Sequence, residues 1–258
     1  MFDKDFELFL ADTEEGIALN QRVRYRVFCL EKGFEDATEF PDGRERDPWD
    51  DVSIHFAVRE KATGNWVAAT RVILPLAEQF PVEQQDGLVR EHADGIPRYT
   101  LSEVSRICIV RDGGDVVAFP GGPNGEWTEE VAGVSNRRQE RDVLLGLIRA
   151  IIEYCLDHGI RHGYMFVTDA FAKLLDRLGV AFNQVGEKTE YRGIRAPYFI
   201  DYALTKQQMC ARSAEVAEHF EGWDLAYRPI SELRVRAIPE VIVSGPVVSG
   251  THKAARRS

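Results

Sequence analysis

The chain has 258 residues, 44% of them hydrophobic, and a formal net charge of −10 at pH 7. This length is sufficient for one large domain with a substantial core. The acidic balance argues against a general binder of nucleic acids or anionic membranes, because those partners need a positive surface. The four cysteines are widely spaced, the N-terminus is unlike a signal peptide, and no apolar run reaches the length of a membrane span. We therefore expect a soluble, cytoplasmic protein with reduced thiols and no stable membrane insertion.

The first predicted elements are a short strand over residues 6–11 and a helix over residues 16–31. Val23, Val27 and Leu30 recur at helical spacing within the second segment. The helix is therefore predicted to turn these three side chains toward the core.

A long loop and three strands are predicted next. Residues 32–53 are polar and contain prolines, and loops of this length are usually functional or disordered. Apolar runs over 54–60 and 66–75 predict a hairpin. After a polar excursion over 76–98, a further apolar run predicts a strand over 101–110.

The second half is predicted to hold helices and strands after a Gly- and Pro-rich insertion over 113–125. We interpret the insertion as a surface loop, because its glycine spacing matches no phosphate-binding pattern. The later elements are a helix over 136–158 capped by Asn136, a strand over 163–168, a helix from its cap at Asp169 to Leu178, strands over 180–186 and 197–204, a helix over 206–220 and a tail. This order predicts a mixed α/β (α+β) fold with a mostly antiparallel first half.

The strand over 101–110 contains two charged residues, Glu103 and Arg106, among Leu, Ile and Val. Ionised groups are costly to bury unless they are paired or functional, so this strand is a candidate site. Strict alternation places the two side chains on opposite faces of a sheet. Both reach one site only if a bulge or a strong twist intervenes.

Two further groups of residues are candidates for the same site. Arg24, Phe28 and Glu31 share one helix face, although a snorkelling arginine at the edge of the core explains the same pattern. Asp47 and Asp50 form either a solvated acidic run or a loop that recognises an amino-bearing substrate. A metal site is disfavoured, because no pair of histidines occurs at ligand spacing.

Arg71 lies between apolar neighbours and needs a carboxylate partner, for which Glu103 and the loop aspartates are the candidates. If Glu103 paired with an arginine, its carboxylate would stay ionised at neutral pH and could orient an amine or act through water as a general base. A purely structural ion pair explains the same residues. Composition leaves both interpretations open.

The order and spacing of these residues resemble those of the acyl-homoserine-lactone synthases, a branch of the GNAT superfamily of N-acyltransferases. The shared stretches are Arg24-Tyr-Arg-Val-Phe28, Glu45-x-Asp47-x-x-Asp50, Arg71 in a T-R-V-I-L-P run, and Glu103-x-Ser-Arg106. The similarity covers about residues 1–205. It implies a GNAT-like acyltransferase domain over residues 1–205, with a mostly antiparallel sheet flanked by helices. Residues 206–258 lie beyond the similarity and are predicted to be a C-terminal helix and an extended tail packed on that domain or trailing from it.

Within that branch, the chain is more similar to the acyltransferases associated with PEP-CTERM/exosortase systems and to the N-acyl amino acid synthases. The stretches that carry this resemblance are 24–29, 53–56, 62–64 and 196–201. Phe34 stands where the lactone synthases have a tryptophan. The resemblance places this position near the amine substrate, which is S-adenosylmethionine in the lactone synthases. The difference at Phe34 therefore bears on which amine the protein uses.

The resemblance implies transfer of an acyl group from a thioester of acyl carrier protein, or of coenzyme A, to a small amine, without a permanently bound cofactor or metal. It places Arg24, Phe28, Phe34, Asp47 and Asp50 on the amine side and Arg71, Glu103 and Arg106 at an ion-paired centre. Backbone N–H groups of Ile107, Cys108 and Ile109 would stabilise the oxyanion. Arg137, Arg138 and Arg141, at the start of the long helix, would face the carrier protein and the phosphate of its phosphopantetheine, unless they are only a solvated helix end.

Three functional hypotheses follow from these residues. The first is an enzyme that transfers a fatty acyl chain to the amino group of an amino acid or a similar small amine. The second is a lactone synthase that uses S-adenosylmethionine. The third is a non-catalytic module that binds an acyl ligand or a carrier protein, against which the combination of Glu103, Arg71 and two aspartates speaks, because a lipid pocket needs none of them.

Overall fold

The computed structural model describes residues 2–76, 78–85, 87–89, 91–111, 117–120, 128–131, 137–221 and 226–233, with the backbone alone for 117–120 and 128–131. The strands are β1 (Phe6–Leu10), β2 (Ser53–Glu60), β3 (Trp66–Ile73), β4 (Leu101–Ile109), β5 (Val117–Pro120), β6 (Thr128–Val131), β7 (His162–Thr168), β8 (Phe182–Gln184), β9 (Thr189–Glu190), β10 (Ile194–Asp201) and β11 (Arg228–Pro229). The helices are α1 (Phe2–Asp5), α2 (Glu14–Tyr25), α3 (Arg137–Asp157), α4 (Asp169–Leu178), α5 (Tyr202–Arg212) and α6 (Ala214–Glu221).

One sheet crosses the described part of the molecule in the order β11-β1-β2-β3-β4-β7-β10-β8. Neighbours from β1 to β4 are antiparallel, β4 and β7 are parallel, and β7 and β10 are antiparallel again. β6 lies beside β3 and β5, and β9 lies beside β10. The predicted mixed, mostly antiparallel sheet flanked by helices is confirmed.

The sheet separates two apolar layers, because successive side chains of a strand point to opposite faces. The long helix α3 covers one face, in a layer that includes Phe56, Val58, Val72, Val104, Val143, Leu144, Leu147 and Ile151. Helix α2 covers the other face, in a layer that includes Phe9, Leu19, Val23, Val27, Ala57, Ala69, Cys108 and Val110. Each helix therefore buries one apolar side and fixes the strands between the two layers.

Helix α2 is capped by Thr13, whose Oγ1 accepts a hydrogen bond from the Gly16 N–H at 3.0 Å. The chain then continues as a π-helix over Arg26–Glu31, and the Lys32 N–H donates to the Val27 C=O at 2.9 Å. π-turns are rare and occur frequently at functional sites. This one leads directly into the loop that forms part of the cavity described below.

The π-helix explains one wrong prediction about the core. Val23 and Val27 are buried, as the helical spacing predicts, but Leu30 is 45% exposed. A π-turn contains more residues than an α-turn, so a spacing based on 3.6 residues per turn fails after the change of winding.

Strands β4 and β7 part from each other halfway along β4. The β4–β7 pairing runs only from Leu101↔His162 to Glu103↔Tyr164, whereas the β3–β4 pairing continues to Ala68↔Ile109. Beyond Glu103, therefore, the edge of β4 that faces β7 borders a gap instead of a paired strand.

The bulge that the charged residues of β4 require is present. The register of β3 and β4 shifts between Ala69↔Cys108 and Arg71↔Ser105. Arg106 lies within this shift and has a φ angle of 54°, in the left-handed region that residues other than glycine seldom adopt. The extra residue turns the Arg106 side chain to the face of the sheet that carries Arg71.

Several predicted boundaries differ from those observed. Thr168 caps α4 by accepting a hydrogen bond from the Phe171 N–H at 3.4 Å, so Asp169 is the first helical residue and not the cap. The helix predicted over 206–220 consists of α5 and α6, and the Asp201 side chain caps α5, which ends the preceding strand earlier than predicted.

Parts of two predictions fall on residues that are not described. Asn136, the predicted cap of the long helix, lies outside the described residues. So does the predicted loop over 113–125, except for 117–120, which form β5 and pair with β6. Residues 226–233 of the C-terminal tail include β11, which pairs in parallel with β1. Within the described ranges, no helix has both the length and the apolar character needed to cross a membrane.

Candidate active site

A cavity of about 660 Å³ occupies the gap between β4 and β7 and reaches both faces of the sheet. One end is polar and is lined by Phe28, Phe34, Glu35, Asp47, Arg71 and Arg106. The other end is apolar and is lined by Leu144, Met165, Val167, Phe171, Leu174 and Leu178. Glu103 lines the cavity at the last paired residue of β4, where the gap begins.

Arg24 is the most deeply buried member of an ion-pair cluster on the α2 face, with 0% of its surface exposed. Its Nε donates to Glu45 Oε2 at 2.6 Å, and its Nη1 donates to Asp50 Oδ1 at 2.6 Å. The predicted snorkelling arginine is thereby excluded. Arg24 holds the loop after the π-helix against the sheet and does not line the cavity.

Arg71 joins the same loop to β3. It is 1% exposed, and its Nη1 donates to Asp47 Oδ1 at 2.5 Å and to Asp50 Oδ1 at 2.7 Å. Its Nε donates to Ser105 Oγ at 3.0 Å. Of the partners predicted for Arg71, the loop aspartates are confirmed.

The local sequence of the loop positions both aspartates. Asp47 caps a 3₁₀ helix over Pro48–Val52, with its Oδ1 accepting from the Trp49 N–H at 3.0 Å. Asp50 reciprocates, because its Oδ2 accepts from the Asp47 N–H at 3.0 Å. This capping box fixes the spacing of the two carboxylates before they meet the arginines.

Arg106 closes the cluster from the bulge of β4. Its Nε donates to Glu45 Oε1 at 3.1 Å, its Nη2 donates to Asp47 Oδ2 at 3.0 Å, and its guanidinium lies over the Phe28 ring at 5.7 Å from the centroid. Its Nη2 also lies 3.4 Å from Glu35 Oε1, and Glu35 is bound in addition by Arg192.

The cluster keeps its aspartates ionised. Burial alone would raise the pKa of Asp50, but the charges and hydrogen bonds of Arg24 and Arg71 lower it well below its usual range. Likewise, Arg71 and Arg106 outweigh burial and lower the pKa of Asp47. These carboxylates are therefore permanent charges with fixed partners.

Glu103 has a different environment. It is 3% exposed, and its Oε2 accepts a hydrogen bond from the Val82 N–H at 2.8 Å. Burial outweighs that hydrogen bond and the charge of Arg71, and it raises the pKa of Glu103 to about 8. Of the two alternatives for Arg71, Glu103 is not the partner, because the Arg71 donors bind Asp47, Asp50 and Ser105 instead. The ion-paired centre that the resemblance implies therefore does not include Glu103. Glu103 is protonated for the most part at neutral pH, and not ionised as it would be if it paired with an arginine.

The backbone of β4 offers hydrogen-bond donors to the gap. The Val110 N–H donates to the Val67 C=O at 2.9 Å and so faces β3. Because N–H groups alternate in direction along an antiparallel ladder, the Cys108 N–H also faces β3. By the same alternation, the Ile109 N–H faces the gap. Ile107 lies inside the bulge of β4, where the regular alternation is interrupted, so this argument does not extend to its N–H. Of the three residues predicted for the oxyanion site, Ile109 has the required orientation.

The cations predicted for the donor side separate into two groups. Arg137 and Arg141, on the first turns of α3, line the cavity near its apolar end. Arg138 is exposed and is not among the lining residues. Arg141 also lies 3.7 Å from Glu215 in a solvent-exposed ion pair.

Sequence reasoning missed several residues of the polar end. Glu45 was part of the acidic motif but received no role, although it binds both Arg24 and Arg106. Arg192 and Arg195 line the cavity from the segment around β9 and β10, far along the chain. Nothing in the local pattern of that segment marks these two arginines as site residues. Among the described side chains, no group of three or more His, Cys, Asp or Glu residues is arranged to hold a metal ion.

Comparison with known families agrees with this architecture. Residues 23–113 match the family model described as "Acetyltransferase (GNAT) domain". The matched segment runs from the last turn of α2 through β4, and it therefore contains the whole ion-pair cluster except Arg192. No curated protein sequence matches the chain.

Three solved structures with similar folds are acyl-homoserine-lactone (AHL) synthases. LasI is 15% identical with a TM-score of 0.54, covering 76% of this chain and 90% of its own. TofI, in a complex with an inhibitor and MTA, is 20% identical with a TM-score of 0.53, covering 80% and 95%. BjaI, described as CoA-dependent and bound to SAM and isopentyl-CoA, is 19% identical with a TM-score of 0.55, covering 83% and 89%. These likenesses confirm the GNAT-like fold, and the family match supports the prediction of an N-acyltransferase.

Proposed function

We propose that the protein transfers a fatty acyl group from the thioester of acyl carrier protein, or of coenzyme A, to the amino group of an amino acid. The observation that carries this proposal is the single cavity through the sheet, with a charged end, an apolar end and Glu103 between them. The apolar end suits an acyl chain, the polar end suits a small amine, and the gap lets the two meet.

The thioester carbonyl would lie in the gap between β4 and β7. There the N–H group of Ile109 would stabilise the negative charge that develops on its oxygen. The acyl chain would extend between α3, β7 and α4, where Leu144, Met165 and Leu174 line the cavity.

Glu103 would act as the general base. A base is most effective when its pKa lies near the working pH, and a pKa of about 8 meets that condition. The amine nitrogen attacks the carbonyl carbon, a C–N bond forms, and the proton of the amine passes to the Glu103 carboxylate, directly or through water. The C–S bond then breaks, and the thiolate leaves and takes up a proton. No covalent intermediate on the enzyme is needed, so Ser105 and Cys108 are not nucleophiles in this reaction.

The ion-pair cluster would act as a rigid wall for the acceptor. The ion pairs of Arg24 with Glu45 and Asp50 hold the loop in place. Phe28, Phe34, Asp47, Arg71 and Arg106 present the surface that the acceptor meets.

On the donor side, Arg137 and Arg141 would attract the acidic surface of a carrier protein or the phosphates of coenzyme A. Both donors carry phosphopantetheine, so the proposed donor side would serve for either. The narrower similarity to PEP-CTERM/exosortase-associated acyltransferases, the carrier protein as partner and the cytoplasmic location remain predictions.

A lactone synthase is the second candidate. The motif set from Arg24 to Arg106 favours it, and three such synthases share the fold. Phe34 at the acceptor end argues against it, because the lactone synthases resembled by the sequence have a tryptophan there. The two candidates differ in product, an open N-acyl amino acid against an acyl lactone whose formation requires S-adenosylmethionine.

The test is mass spectrometry of organic extracts from cells that express wild type or Glu103→Gln. We expect N-acyl amino acids with wild type, and at least a hundredfold less with the variant, which keeps the acceptor atom for the Val82 N–H but cannot take up a proton. Glu7→Gln, at a half-buried residue of β1 that does not line the cavity, is the matched control and should behave as wild type. An acyl lactone in place of the amino acid derivative would favour the second candidate, and unchanged product with Glu103→Gln would contradict the role of Glu103.

A further inference from the structure

We propose that Arg195 binds the carboxylate of the acceptor, which makes the enzyme selective for amino acids over simple amines. This inference rests on the proposed function and names the residue that recognises its substrate class. Arg195 lies on β10 and pairs with Thr168 at the end of β7, where the gap has opened. Its side chain lines the cavity, and its guanidinium lies over the Phe34 ring at 5.7 Å from the centroid.

The first argument concerns the charges at the polar end. The carboxylates of this end are all bound by arginines of the protein: Glu35 by Arg106 and Arg192, Glu45 by Arg24 and Arg106, Asp47 by Arg71 and Arg106, and Asp50 by Arg24 and Arg71. Arg195 makes no ion pair with any described carboxylate. It is therefore the arginine of the polar end that remains available to an anion, whereas Lys32, which also lines the cavity, is exposed to solvent.

The second argument concerns the surroundings of the Arg195 side chain. Its Nε is buried and has no hydrogen-bond partner among the described residues. Burial is the main influence that lowers the pKa of Arg195; Tyr191 acts against it, and the charges of nearby Arg192 and Arg106 lower the pKa further. A half-buried guanidinium with cationic neighbours and an unmet donor is electrostatically unfavourable until an anion binds. A carboxylate matches the fork of a guanidinium with two parallel hydrogen bonds.

The third argument identifies the acceptor, and not the donor, as the source of the anion. Phe34, on which Arg195 stacks, belongs to the polar end with Phe28 and Arg71. The cations proposed for the donor phosphates, Arg137 and Arg141, are on α3 at the other end. The amino nitrogen of an α-amino acid is one carbon away from its carboxylate. A carboxylate held at Arg195 therefore directs that nitrogen into the cavity, where the thioester would lie.

The test measures binding and does not require turnover. Calorimetry compares N-dodecanoylglycine, which mimics a product, with its methyl ester, which lacks the carboxylate. We expect wild type to bind the acid at least tenfold more tightly than the ester. Arg195→Met keeps the apolar stem against Phe34 and should lose this preference, with ester affinity unchanged, while Arg195→Lys should restore part of it. Arg59→Ala is the matched control, because Arg59 also stacks on an aromatic ring, that of Trp66, but does not line the cavity.

The inference is overturned if Arg195→Met weakens acid and ester equally, if it keeps the preference, or if wild type does not discriminate the acid from the ester. A loss of affinity for coenzyme A in Arg195→Met, with the acid preference retained, would assign Arg195 to the donor phosphates and also overturn it. If the preference is present and depends on Arg195 but no amine is acylated, the proposed reaction fails while the carboxylate site stands.

Discussion

Glu103 lines the cavity and Asp50 belongs to the ion-pair cluster at its polar end, yet the neighbours of these two carboxyl groups give them opposite protonation states. Asp50 contacts two buried arginines, which lower its pKa in spite of burial. Glu103 accepts one backbone hydrogen bond in an apolar setting, and its pKa rises to about 8. The first carboxylate serves as a fixed charge, and the second can take up and release a proton near neutral pH.

The raised pKa of Glu103 predicts a pH dependence of stability. Unfolding exposes the carboxyl and returns its pKa to the ordinary value of 4.5. Between about pH 4.5 and 8 the folded state holds a proton that the unfolded state releases, so this contribution to stability is complete below pH 4.5 and is lost as the pH rises through 8. The free energy of unfolding falls by at most about 1.4 kcal/mol per pH unit over this range.

Urea denaturation at pH 5, 6.5 and 8 should show that Glu103→Gln gains stability relative to wild type as the pH rises. A constant difference between the two proteins would contradict the raised pKa.

At the scale of elements, the loop between the π-helix and β2 is held to the sheet by charge and not by an apolar face. Glu45, Asp47 and Asp50 project from it to arginines on α2, β3 and β4. Removing one partner of a buried ion pair leaves an uncompensated charge, which is strongly destabilising.

We therefore predict that Asp50→Asn lowers the free energy of unfolding by about 3–5 kcal/mol at pH 7, since it leaves Arg24 and Arg71 without a shared carboxylate. The control is Asp42→Asn, which removes an exposed carboxylate that also binds two arginines, Arg44 and Arg46. Exposed pairs contribute little, so the control should change the free energy of unfolding by less than about 1 kcal/mol. Chemical denaturation at pH 7 measures both variants, and equal effects would show that the buried cluster is not what holds the loop.

The apolar end of the cavity belongs to α3, β7 and α4, and it predicts an effect on acyl-chain length. Leu174→Trp should fill part of this end and shift the preferred donor to shorter chains, with a loss of about 0.8 kcal/mol for each methylene that is no longer buried. The KM for the acceptor should not change, because Leu174 is on the opposite side of the gap from Phe34. A series of acyl thioesters of increasing length measures the effect. An unchanged length profile would place the acyl chain elsewhere.

At the scale of the whole molecule, a net charge of −10 opposes the approach of an acidic carrier protein, so the donor side needs local cations. We predict that Arg137→Glu combined with Arg141→Glu lowers kcat/KM for an acyl carrier protein thioester about tenfold at low salt, and less at high salt, because long-range attraction is screened. Arg44→Glu combined with Arg46→Glu, on the loop before β2, is the control for the change in net charge. A loss that is equal at both salt concentrations would contradict an electrostatic role.

The fold was accessible from the sequence because local patterns determine most of its elements. Apolar alternation and helical spacing predicted β1 to β4, α3 and α4, and the conflict between the faces of Glu103 and Arg106 predicted the bulge. The π-helix was not predictable, since the spacing of Val23 and Val27 continues into it, and it turned Leu30 outward.

The ion-pair partners within the cluster also escaped prediction. Arg71 had several candidate carboxylates, and only the capping box of Asp47 and Asp50 decides between them. Arg192 and Arg195 reach the cavity through the tertiary fold, which no local pattern encodes.

The most direct test of the central claim uses the purified protein, acyl carrier protein and coenzyme A thioesters, and a mixture of amino acids. Thiol release and mass spectrometry of the products are followed from pH 6 to 9 for wild type and Glu103→Gln. The account predicts an N-acyl amino acid from wild type, a kcat/KM that rises toward pH 8, and a rate at least a hundredfold lower for the variant. Thiol release without an N-acyl product, or equal rates for the two proteins, would contradict it.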